Sequence, residues 1–143
     1  MTTAAASAGL VARLHRLHEL VATRELSAVV CSAPETIAYL GGAYIATQTL
    51  VPDRLAFLVA SRDGRTSLLV CNVEEGLVRA RSPLEDIDHY VEFEQDPTAA
   101  LIELLESGGS SSGRIGIQAA KSAIRSVAPA MPTTSCHRTK TTN

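Results

Sequence analysis

Leu10, Leu14, Leu17 and Val21 recur at helical spacing, with Val11 and Leu20 at the margins of the stripe. At about 100° per residue this predicts an amphipathic helix as the first element. Leu26 to Cys31 follows with almost no polar residue, the pattern of a strand covered on both faces and central in its sheet. Pro34 then opens a short helix that Gly41 and Gly42 stop, since proline suits the first helical position and glycine the position past the end. Tyr44 to Val51 is mixed and reads as irregular. Arg54 to Ala60 and Thr66 to Cys71 are β-prone runs on either side of Ser61 to Arg65. Asp63 and Gly64 are expected to supply the positive-φ residues of a tight turn there, giving an antiparallel hairpin. Val73 to Arg81 suits a helix ended by Ser82 and Pro83, and His89 to Phe93 alternates as a strand, with Tyr90 and Glu92 on one face and Val91 and Phe93 on the other. Asp96 and Pro97 form the cap and first position of a helix through Leu101, Ile102, Leu104 and Leu105. Gly108 to Gly113 is a flexible polar loop leading to a last strand, Arg114 to Gln118.

This order, a hairpin followed by two helical crossovers, predicts an α/β fold: a mixed five-stranded sheet with helices on both faces, arranged like ribonuclease H. Numbered along the chain, the strands are expected in the order 3-2-1-4-5. Residues 1–118 form the domain. From Ala119 the character changes. Ala119 to Val127 could begin a helix, but Pro129, Pro132 and the polar run Thr133 to Asn143 have no apolar periodicity, so 119–143 is expected to be a disordered or aberrant tail.

A chain of 143 residues suffices for one domain, which buries roughly 70% of its unfolded surface. Thirteen basic against fifteen acidic residues, net −2, give no field for a phosphate backbone, so nucleic acid is excluded as a partner. Aromatics are 3% of the chain and tryptophan is absent, which leaves an aliphatic core. No apolar run approaches membrane length and no secretory signal is visible, so the expected address is cytoplasmic. Cys31 and Cys71 end apolar runs and read as buried thiols, while Cys136 lies in the polar tail; an odd count gives no disulfide framework.

Most candidate chemistry dissolves on inspection. His15 and Glu19 fall on the helix face opposite the leucine stripe and His18 on its flank, too few converging ligands for a metal. His89, after Asp86 and Asp88, reads as a surface or capping residue, and His137 sits in the tail. Ribonuclease H chemistry needs a first-strand carboxylate to hold magnesium, and Leu26 to Ser32 has none; Glu74, Glu75, Glu92 and Glu94 cannot replace it. Gly41 and Gly42 lack the rest of a phosphate loop, and Ser110 to Ser112 lacks a histidine and acid.

Pro34, Glu35, Thr36, Ile37, Ala38, Tyr39, Leu40, Gly41 and Gly42 after Ala28 to Cys31 resemble the opening of the N-terminal domain of the creatinase/prolidase/aminopeptidase P family. Arg13 to Leu17, Pro52 to Leu55, Asp63 with Gly64, and Arg114 to Ile117 continue the resemblance in order over residues 10 to 118. The resemblance implies a non-catalytic, ribonuclease H-like domain that packs on a larger catalytic domain, joins in homodimer contacts and gates substrate. It also implies that divalent metal (manganese, cobalt or zinc) belongs to that second domain and that this chain holds none. Arg54 lies near where some family members present an arginine to the neighbouring subunit's active site, so the resemblance implies a role on a substrate carboxylate, while its position alone reads as a surface arginine at a strand start. The threonine-rich close is expected to mark truncation before the catalytic domain. The alternatives are a free-standing peptide- or protein-interaction module and a fragment of a creatinase-like amidinohydrolase.

Overall fold

The computed structural model describes residues 2–118 and 124–127. Helix α1 (Thr2–Thr23) turns Leu10, Leu17 and Val21 inward and leaves Val11 in solvent, as its stripe of leucines requires. It ends without glycine. Glu25 takes φ +54°, and the Leu26 amide donates to the Val21 carbonyl at 2.9 Å. Both residues belong to one core cluster, so a six-to-one hydrogen bond and an apolar contact close the helix as a Schellman motif. A side chain in the left-handed region costs about 1 kcal/mol or more. Glu25→Gly is therefore expected to raise unfolding free energy by roughly 0.5–1 kcal/mol, glycine's greater unfolded entropy taking back part of the gain; a loss on urea unfolding would contradict this.

All four residues of β1 (Ala28–Cys31) are buried, and it pairs antiparallel with β2 (Phe57–Ser61) and parallel with β5 (Ile115–Gln118). Between β1 and β2, α2 (Pro34–Gly41) starts on its proline and stops at Gly42, φ +75°. A Cβ there would lie 2.9 Å from Cδ of Pro83, so glycine serves both the backbone and the packing. The stretch expected to be irregular contains a one-turn helix, α3 (Thr47–Leu50).

The hairpin of β2 and β3 (Thr66–Cys71) is present, with Phe57 opposite Leu69. In its turn only Gly64 has positive φ, +91°. Asp63 instead accepts the Arg65 amide through its carboxylate at 3.0 Å, a local side-chain bond that shapes the turn without the left-handed region. Helix α4 (Asn72–Arg81) follows β3 directly, with Glu74 and Glu75 in its first turn and Arg79 and Arg81 in its last, matching the helix dipole at both ends. Strand β4 (Asp86–Tyr90) runs parallel to β3. Asp96 caps α5 (Pro97–Ser107) by accepting the Thr98 and Ala99 amides at 2.7 and 2.9 Å, as its sequence predicts.

Among the described residues the sheet has six strands in the order β4-β3-β2-β1-β5-β6, with β6 (Ile124–Val127) antiparallel to β5. The α/β class, the mixed sheet and helices on both faces are as expected; the 3-2-1-4-5 order is corrected. With α4 starting at the residue after β3, the crossover is short and sets β4 down beside β3 rather than carrying it past two strands to β1. α5 then returns the chain on the opposite face to place β5 beside β1. The fourth strand also lies three residues earlier than His89 to Phe93. Its parallel register sets Ile87 beside Leu68 and Tyr90 beside Cys71, burying both, whereas Phe93 sits in the following turn. Ile124–Val127 is a strand within the segment expected to be disordered; the rest of that expectation, residues 119–123 and 128–143, falls outside the described residues.

One core cluster joins α1, α2 and α4, through Leu17, Val21, Ile37, Leu40 and Val78, to Val29, Leu58 and Leu68. The other sets Leu105 of α5 against Val30, Val59, Leu69 and Tyr90. The outer margin of β4 is closed by local bonds. The Ile87 amide donates to the Glu85 carbonyl at 3.2 Å, His89 to the Asp88 carboxylate at 2.8 Å and Val91 to Oε1 of Gln95 at 2.8 Å, while Arg79 donates to the Ile87 carbonyl at 2.7 Å. Among the described residues no helix is long and apolar enough to cross a membrane.

Candidate functional site

Arg54 lies in the lead-in to β2, its amide donating to the Val51 carbonyl at 3.0 Å. Its side chain crosses to the turn after β4, where Nε donates to Oε1 of Glu92 at 2.6 Å and Nη2 to Oε2 at 3.2 Å. This two-pronged pairing is the strong form of an arginine–carboxylate contact, and the Glu92 hydrogen bond raises the guanidinium further above its already basic range. Nη1 is 3.9 Å from Oε1 of Glu74, which also accepts the Thr47 hydroxyl. Asn72 closes the ring: its Oδ1 accepts the Glu92 amide at 3.1 Å and faces the Cys71 thiol at 3.4 Å. Arg54 thus ties the β2 lead-in, the first turn of α4 and the turn after β4 into one ionic cluster.

Beside it Tyr90 is 2% exposed and its hydroxyl donates to the Leu55 carbonyl at 2.7 Å. Burial, with Cys71 and Glu92 nearby, pushes its phenol above the ordinary range. Tyr90→Phe leaves that carbonyl without its partner, and is expected to cost about 1 kcal/mol; an unchanged urea midpoint would show that water replaces the hydroxyl. Leu55, Tyr90, Glu92 and Phe93 then line an open cleft of about 450 Å³ together with Asp53, Glu94 and Asp96.

The histidines separate. His15 and Glu19 form an exposed pair at 3.6 Å, the solvated face their spacing predicts. His18 turns to the hairpin, with Nδ1 3.1 Å from the Ser61 carbonyl and Nε2 2.8 Å from the Thr66 hydroxyl. His89 pairs with Glu75 at 2.8 Å, and the Arg79 hydrogen bond, then His89, hold that carboxyl low. Among the described residues no three of His, Cys, Asp and Glu come together as a metal site. Cys31 and Cys71 are buried free thiols, and burial pushes Cys31 up to about 11. Cys136 and His137 lie outside the described residues. Ser110, expected in a flexible loop, is buried beside Ser61.

Arg54 was legible as a candidate, but its partners were not. Glu74 and Glu92 stand twenty and thirty-eight residues away in sequence, so no local spacing joins them; only the parallel placement of β4 beside β3 brings them to the same end of the sheet.

Comparison with known proteins gives one family. Its description is the creatinase/prolidase N-terminal domain, and its sequence pattern matches residues 13–133, past the boundary expected at 118. Among solved structures, a dipeptidase from Pyrococcus horikoshii is 29% identical with a TM-score of 0.63, the alignment covering 78% of this chain and 29% of that one. The N-terminal domain of an Xaa-Pro dipeptidase from Lactobacillus brevis is 19% identical with a TM-score of 0.62, over 74% and 75% of the two chains. A prolidase from Pyrococcus furiosus gives 16% identity and a TM-score of 0.57, over 76% and 29%. The chain thus spans under a third of the length of the two Pyrococcus proteins. No curated protein sequence matches.

Proposed function

Because the chain belongs to the creatinase/prolidase N-terminal domain family, we propose that it is the non-catalytic N-terminal domain of an Xaa-Pro peptidase-type hydrolase, acting in homodimer assembly and substrate gating. The observation that carries this reading is the match over 13–133 together with a fold that occupies only 29% of the full Pyrococcus dipeptidase. Metal-activated water, and with it manganese, cobalt or zinc, belongs to a further catalytic domain. The chain alone, stripped of metal and reconstituted with manganese or cobalt, is expected to leave X-Pro dipeptides uncleaved, while a tagged copy retains a coexpressed Xaa-Pro peptidase catalytic domain. Metal-restored cleavage by the chain itself would overturn the reading, and so would failure to retain that domain.

Within the same reading, Arg54 meets a substrate carboxylate by exchanging it for Glu92, since one fork fits either carboxylate. In the assembled two-domain enzyme, Arg54→Lys is expected to raise KM for X-Pro dipeptides severalfold with kcat little changed; an unmoved KM would remove Arg54 from substrate binding and leave its ionic cluster a purely structural one.

A further inference from the structure

Two surface features on opposite faces of the sheet complement each other. One is a knob. The turn after β4 holds Phe93 at φ +65° with 94% of its surface in solvent. The base of this turn is fixed, the Val91 carbonyl accepting the Glu94 and Gln95 amides at 3.2 and 3.0 Å while Gln95 returns its Oε1 to the Val91 amide. Glu94, next to the ring, is exposed and its carboxylate has no partner among the described residues.

The other feature is a hole. Leu17, Leu20 and Leu40 with Tyr39, Arg13 and Arg16 line a groove of about 240 Å³ between α1 and α2. A cavity of roughly 150 Å³ holds a benzene ring, so the groove has volume enough for a phenyl side chain. The Arg13 guanidinium lies 4.4 Å over the Tyr39 ring, but its Nε is buried without an acceptor. Neither Arg13 nor Arg16 forms an ion pair among the described residues. The groove therefore offers an apolar floor lined also by two arginines that have no carboxylate partner among the described residues, the complement of an exposed aromatic beside a free carboxylate. Knob and hole lie on different sides of the molecule. Phe93 sits by Tyr90 and the start of α5, whereas α1 and α2 pack on the other core cluster.

We propose that Phe93 of one copy of the chain inserts into the α1–α2 groove of a second copy, with Glu94 set against the second copy's Arg13 and Arg16. The proposal rests on the self-association part of the functional reading and assigns it a contact. Because knob and hole are different patches on opposite faces, the contact is head to tail, and successive copies close into a ring or extend as a chain.

Sedimentation velocity on the 143-residue chain, from low micromolar to submillimolar concentration, tests it. The wild type is expected to associate, less so as salt rises. Phe93→Ser, which removes the knob, and Arg16→Glu, which reverses charge at the hole, should each weaken association at least about tenfold. Both positions are exposed, so the variants are expected to keep the wild-type circular dichroism spectrum. The decisive arm is the mixture. The Phe93→Ser chain keeps its hole and the Arg16→Glu chain its knob, so together they form a one-to-one complex that neither forms alone. A wild type monomeric at every concentration would overturn both the contact and the self-association reading. Association untouched by either variant, or variants that fail to complement, would overturn the contact alone and leave self-association standing.

Discussion

Leu58→Ala is expected to lower the unfolding free energy by about 3 kcal/mol and the melting temperature by roughly 10 °C. Leu58 is fully buried on β2, between β1 and β3, and a Cβ placed on Gly41 would touch its Cδ1 at 3.6 Å. The leucine therefore fills the interval between sheet and α2, where the chain has already used a glycine to bring the helix close. Backbone on both sides limits relaxation, so the lost methyl groups leave a void rather than a collapse. Leu50→Ala supplies the control: at 76% exposed it should shift stability by no more than about 0.5 kcal/mol. Equal losses for the two variants in urea unfolding would disprove the assignment of the core.

The second large effect lies at alkaline pH. Burial raises Cys31 from an ordinary 9.0 to about 11 in the folded chain. A thiol is neutral when protonated, so the folded state binds its proton more tightly than the unfolded state does. The stability this contributes is complete below pH 9 and is lost as pH rises toward and through 11. Two pH units of difference correspond to a loss approaching 3 kcal/mol. Tyr90, also raised by burial, steepens the decline above its ordinary pKa of about 10. Cys31→Ala should flatten the fall between pH 9 and 11, and adding Tyr90→Phe should flatten it further. A slope indifferent to Cys31→Ala would place the titration elsewhere.

Where local rules bind the chain, the sequence was readable. The leucine stripe of α1, Pro34 and Gly42 around α2, and Asp96 with Pro97 at α5 each solve a problem within a few residues, and each is found where the pattern puts it. What escaped depends on neighbours distant in sequence. Alternation over His89 to Phe93 is as regular as that of a strand. Yet the register with β3 decides which residues pair, and it selects Asp86–Tyr90. The helix end at Glu25 carries no glycine to announce it, because Leu26 packing on Val21 holds the left-handed residue in place. The same limit applies to the ionic cluster. Arg54 stood out by its place after Pro52 and Asp53, whereas the carboxylates that hold it are set by the sheet order, the part of the topology for which 3-2-1-4-5 was expected and β4 beside β3 is found.

The closed margin of β4 constrains how copies of this protein can aggregate. A strand from another molecule approaching there would find the amides of Ile87, His89 and Val91 and the carbonyl of Ile87 already satisfied. It would also meet the fixed charges of Asp86 and Asp88. Lengthening the sheet from that flank would first require breaking bonds the fold has made, so fibril growth by strand stacking is disfavoured on that side.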